Sequence, residues 1–227
     1  MPDTSAVPIS NWTEVAAMLQ GIGAVLGPVV VGIAAWIGRN TFESWRQQKL
    51  SERRIEQAER ILTATYKARR SLSYVRNPMM LGHELDAANA TLKESGEWDK
   101  IIGGEQERER VATTQAYYNR LNRTLDDRRA LEECQPMARA LFGEQLEKAI
   151  ETLNHQFRTV QIYVDANHRD RNDADTDFRG KISSAIFEGY PSSAENEIDQ
   201  TVTAQVGIIE SICLPILRLE AAKNIGR

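Results

Sequence analysis

From Val15 to Gly38 the chain runs through 24 residues with a single polar side chain, Gln20. A straight helix of that length extends about 36 Å, more than the roughly 30 Å hydrocarbon core of a bilayer. Ten of these residues are Leu, Ile or Val. Together they favour insertion by about 3–6 kcal/mol before the costs of glycine, Pro28 and Gln20. Trp12 and Trp36 lie near the two ends, and tryptophan rings prefer the headgroup level. A cleaved secretory signal would begin with basic residues and end at a small-residue site, but the side-chain charges before the stretch are Asp3 and Glu14. A buried globular helix is rarely apolar around its whole circumference for six turns. The stretch therefore predicts a transmembrane helix over residues 14–38, after a short external N-terminus of residues 1–13.

Charge sets the orientation. Between Arg39 and Arg76 there are ten basic residues against four acidic ones, a net +6. The segment before it carries −2 and the whole chain −4, so residues 77–227 carry −8. Lys and Arg resist translocation, which places the basic neck and the acidic body in the cytoplasm. Arg outnumbers Lys about threefold, a usage that suits a GC-rich bacterial genome, and the membrane expected is then the bacterial inner membrane. Trp12, Trp36, Arg39, Arg46, Lys49, Arg53 and Arg54 are the expected interface residues. Anionic headgroups fit such a neck at about 1 kcal/mol per basic residue near the surface. Nucleic acid is the less favoured occupant, and a basic neck is also simply the topology signal that any such anchor needs.

Within the stretch, Gly23 and Gly27 form a GxxxG. Ala17 and Gly21 are four apart, as are Ala24, Pro28 and Gly32. Small residues at this spacing let a second helix approach closely, so homo-oligomers are expected.

After Gly38 nothing breaks a helix until Pro78. Ile55, Ala58, Leu62, Thr65, Leu72 and Val75 recur at three- and four-residue steps. Residues 39–77 thus read as a basic stalk helix that joins a bundle rather than forming a free coiled coil. Residues 78–227 divide into further helices: 79–94, 105–133, one from Pro136 to about 168, 178–188, and a last one opened by a capping box of Ser192 with Glu195. No sustained period-two run appears. The fold class expected is all-α, with the transmembrane helix continuing into a cytoplasmic antiparallel helical bundle.

Chemistry-bearing motifs are scarce. Cys134 and Cys213 are far apart and read as reduced core thiols. "HELDA" at His83 has Ala87 where a second zinc histidine belongs. Glu151 and His155 read as a solvated face. Asp173, Asp175 and Asp177 lack the glycine and glutamate of a calcium loop and suit a helix N-terminus instead. No metal and no cofactor is expected. "RNPMMLGH", Arg76 to His83, resembles the Arg–(four to six residues)–His motif of HEPN ribonucleases, with Asn77 as the polar residue after the arginine. The resemblance implies a helical-bundle dimer in which His83 serves in acid–base work and Arg76 steadies phosphate. An anchored helical body is also similar to the membrane-bound HEPN-like accessory proteins of bacterial CRISPR defence systems. From the residues themselves, Arg76 reads as a helix-ending arginine and His83 as a surface histidine.

These readings converge on a single-pass, non-enzymatic oligomeric scaffold or membrane-acting effector of defence or stress, with a bilayer and a cytoplasmic protein as partners. The alternative is a HEPN-like ribonuclease tethered to the membrane.

Overall fold

The computed structural model describes residues 10–169 and 175–225, with side chains described for 31–169 and 175–218. The chain is all-helical, and the described residues contain no strand. Helix α1 runs from Ser10 to Val75, 66 residues without interruption. It is followed by α2 (Gly82–Glu94), a single 3-10 turn (Trp98–Lys100), α3 (Glu105–Arg123), α4 (Leu125–Glu132), α5 (Gln135–Phe142), α6 (Glu144–Arg169), α7 (Thr176–Ile186) and α8 (Glu197–Ile225).

Two compact units emerge, Met1–Arg53 and Arg54–Arg227. In the first, every described side chain from residue 31 onward is exposed. In the second, α6 packs against α3, α4, α5, α7 and α8. Its stripe of Leu146, Ile150, Leu153, Phe157, Val160 and Val164 is wholly buried, as one apolar helix face against several neighbours requires. From α1 the core receives Ala58, Ile61, Leu62, Ala68, Leu72 and Val75. The boundary of this unit at Arg54 assigns the lower half of the expected stalk to the body.

Several elements differ from expectation. The helix expected over 105–133 breaks at Thr124, whose hydroxyl donates to the Leu121 carbonyl at 2.9 Å. Such back-bonding competes with continuation of the helix. The helix expected from Pro136 to 168 breaks at Gly143, which takes φ +97, a conformation that glycine adopts without a Cβ penalty. Helix α2 begins at Gly82 rather than Met79, after a turn in which the Asn77 side chain accepts from the Met79 N–H at 2.9 Å. The last helix is capped by Asn196, whose side-chain oxygen accepts from the Asp199 N–H at 3.1 Å. Ser192 instead donates its hydroxyl to Glu195 at 3.2 Å, in a turn before the helix begins.

The N-terminal apolar stretch was the expected span. Among the described residues, the segment long and apolar enough to cross a membrane is Glu197–Arg218 of α8. Ile198, Val202, Val206, Ile209 and Cys213 of that helix are buried in the core, whereas Ile208, Ile212, Leu214, Ile216 and Leu217 are only partly covered. Most of the expected N-terminal span, residues 14–30, lies outside the described side chains.

Candidate functional site

The C-terminal end of α1 draws together the buried charge of the molecule. A helix ends with carbonyls that lack intrahelical donors, and α1 has no basic residue in its last turn. The donor comes from α3. Arg120, 2% exposed, donates to the carbonyls of Asn77 and Met79, both at 2.7 Å, and of Val75 at 3.4 Å. The same guanidinium forks onto Glu84 of α2, with Nε at 2.9 Å from Oε1 and Nη2 at 2.7 Å from Oε2. Two-pronged pairing of this kind is the strongest geometry for a carboxylate. The Tyr74 hydroxyl and the Leu81 N–H also donate to Glu84, at 3.1 and 3.0 Å. The Tyr74 and Tyr117 rings lie 5.4 and 5.7 Å from the guanidinium carbon, a distance that suits cation–π attraction. Hydrogen bonds from Arg120 hold the Glu84 carboxyl down to about 2, against the upward push of desolvation. Glu84 is therefore ionised throughout the neutral range.

A second cluster surrounds Arg76, one residue past α1 and also 2% exposed. Its Nε donates to the Ala185 carbonyl at 2.8 Å. Nη2 donates to the Ser184 and Phe187 carbonyls at 3.0 and 3.2 Å and to Asn196 Oδ1 at 3.0 Å. Nη1 pairs with the Asp199 carboxylate. The fully buried Asn196 turns its amide onto the carbonyls of Ser184, Phe187 and Tyr190. The Glu188 N–H bonds the Arg76 carbonyl at 2.9 Å. The connection from α7 to α8, including Gly189 at φ +74, is thus wrapped around one guanidinium.

No family model, curated protein or solved structure matches the chain.

The remaining expected residues are distributed as follows. His83 is exposed on the first turn of α2, and Asn77 is exposed before it. No hydrogen bond links either to the Arg76 guanidinium, which protein acceptors occupy. Glu84, the residue beside His83 in "HELDA", is the charged group of that motif that the body buries. Trp36, Arg39, Arg46, Lys49 and Arg53 are exposed on α1. Arg54 stacks over the Phe142 ring at 5.6 Å. Gly32 is exposed, with nothing within 4 Å of the place a Cβ would take. Trp12, Ala17, Gly21, Gly23, Ala24, Gly27 and Pro28 lie outside the described side chains.

Glu151 and His155 are both exposed, and among the described residues no cluster of three or more His, Cys, Asp or Glu is arranged to hold a metal. Cys134 and Cys213 are free and buried. Burial pushes both thiols up, with Cys213 reaching about 11, which disfavours the reactive thiolate. Arg120 and Glu84 bear no sequence signal, since a single buried pair between residues 36 positions apart leaves neither spacing nor composition to read.

Proposed function

We propose that the chain is a single-pass protein of the bacterial inner membrane. Its helical bundle lies in the cytoplasm and organises a protein partner, and copies of the chain assemble through the span. The most concrete form of this reading is a non-enzymatic effector of defence or stress that acts at the membrane. The observation that carries it is the upper part of α1. Val31, Ile33, Trp36, Ile37, Phe42, Trp45 and Leu50 are all more than half exposed. Large apolar side chains exposed along one continuous helix favour a non-aqueous neighbour. Val31, Ile33, Trp36 and Ile37 close the apolar stretch of the sequence, and the change from −2 to +6 across that stretch makes a bilayer the neighbour of choice. Helix α8, the other apolar helix, buries Ile198, Val202, Val206, Ile209 and Cys213 in the core and leaves Ile208, Ile212, Leu214, Ile216 and Leu217 partly covered.

Paired reporters fused after Arg227 test the orientation. A fluorescent protein that matures in the cytoplasm should be bright, and a phosphatase active only after export should be silent. The reverse pattern would overturn the orientation. Gly23→Ile with Gly27→Ile should weaken detergent-resistant oligomers by an order of magnitude or more on cross-linking. Unchanged oligomers would remove the span from the assembly surface. The HEPN-like alternative requires His83 at a phosphate. Its support is the exposure of His83 and Asn77, and the commitment of Arg76 to the α7–α8 connection weighs against it. RNA cleavage by the purified chain that disappears in His83→Ala would put that reading first.

A further inference from the structure

Helix α1 between residues 39 and 53 has two unlike faces. Arg39, Arg46 and Arg53 recur every seven residues, close to two helical turns, so they line one side. Phe42 and Lys49 fall on the same side, each three residues after an arginine. Trp45 adjoins it, its ring 5.9 Å from that of Phe42. Around the helix from this side run Asn40, Ser44, Gln47 and Ser51, all uncharged, while Glu43 borders the arginine side, four residues after Arg39 and three before Arg46, with no ion pair to either among the described residues. Lys49 is paired with Glu52 at 2.7 Å, whereas Arg39, Arg46 and Arg53 have no ion-pair partner among the described residues. Phe42 is 60% and Trp45 53% exposed. Unpaired guanidinium groups beside exposed aromatic rings on one face suit a surface that is anionic and also accepts ring edges.

We infer that this face, through Arg39, Phe42, Trp45 and Arg46, selects acidic phospholipid headgroups over zwitterionic ones in the leaflet where α1 leaves the membrane. The inference rests on the membrane reading above and adds which residues of the neck carry the preference for acidic lipid. Arg39 and Arg46 are about 10 Å apart along the axis. With the reach of their side chains they bracket a headgroup layer, in which aromatic rings also settle. Arg53 is about 21 Å beyond Arg39 along the axis, more than a Debye length away from the surface. The two upper arginines therefore carry the selectivity and Arg53 little of it.

The test uses the full chain in bilayers of equal phosphatidylcholine and phosphatidylglycerol, with a trace of either lipid spin-labelled. The motionally restricted fraction gives the relative affinity of the protein's lipid shell. Roughly fivefold per basic residue near the surface gives an expected preference for phosphatidylglycerol of at least fivefold. It should fall to about one in Arg39→Gln/Arg46→Gln and change little in Arg53→Gln. Equal affinity in the wild type would overturn the inference while leaving the anchor in place, as would a preference that survives the double substitution. A chain that fails to incorporate, restricting neither lipid, would overturn the membrane reading and this inference together. If a short RNA bound the wild type and not the double variant, with no lipid preference, the face would belong to nucleic acid and the inference would fall.

Discussion

Arg120→Ala should destabilise the helical unit by about 3–5 kcal/mol, the usual result of removing one partner of a buried ion pair. In a unit of this size that lowers the unfolding midpoint on the order of 10 °C. The loss has two sources. Glu84 keeps its charge in a site where it is 5% exposed, and the carbonyls of Val75, Asn77 and Met79 lose their donor. A purely apolar double variant, Arg120→Met with Glu84→Leu, should be less damaging than the two single changes added together, because it removes the stranded carboxylate. If the single and double variants simply add, the pair is not coupled as its geometry implies.

Acid gives the same contact without mutation. Glu84 is held at about 2 when folded, below its ordinary 4.5, so between those values the unfolded chain binds the extra proton. Its contribution is complete above about pH 4.5 and disappears as pH falls through about 2. The urea midpoint should therefore decline steeply over that window, and more shallowly in the Arg120→Met/Glu84→Leu chain.

Arg76→Lys should cost a comparable amount, despite conserving charge. An ammonium is a compact point donor, whereas the guanidinium spreads its donors in a planar fork. Lysine would strand several of the acceptors that Arg76 serves at Ala185, Ser184, Phe187, Asn196 and Asp199. The damage should be local first. Hydrogen exchange should accelerate at the Glu188 and Gly189 amides, which are held by the Arg76 carbonyl and by Asp199 Oδ2, before the α6 core opens. A globally softened protein with no focus at the α7–α8 connection would contradict the staple. Loss of any activity in an Arg76 variant would therefore need a stability measurement beside it.

Both arginine clusters were opaque in the sequence, while much of the core was plain. The six-residue stripe of α6 and the Ile198-to-Cys213 stripe of α8 are buried where their spacing places them, because large apolar residues recur at the helical period. Helix α3 hid its face. It buries Ala112, Thr114, Ala116, Tyr117, Arg120 and Leu121, mostly small or polar residues that carry no apolar period. The breaks at Thr124 and Gly143 were hidden for a different reason. Each is a single residue inside a pattern that would continue through it, and a hydroxyl back-bond at Thr124 and a positive φ at Gly143 make the turns. Arg76 stood out as half of a spaced pair with His83. Its partners are instead an asparagine and an aspartate more than 100 positions away, a separation that no local motif encodes. On the upper part of α1 the relation runs the other way: the anchor proposed there rests on charge and apolarity along the sequence, and the structure adds the exposure of the large apolar side chains from Val31 to Leu50.

The most direct measurement is membrane extraction at alkaline pH, applied to the full chain and to a chain lacking residues 1–38. The full chain should stay in the membrane pellet, and the shortened chain should pass to the supernatant as a folded helical protein. A full chain that washes free would contradict the anchor. A shortened chain that still resists extraction would move the span to α8, and with it reverse the assignment of which apolar helix meets the bilayer and which one builds the core.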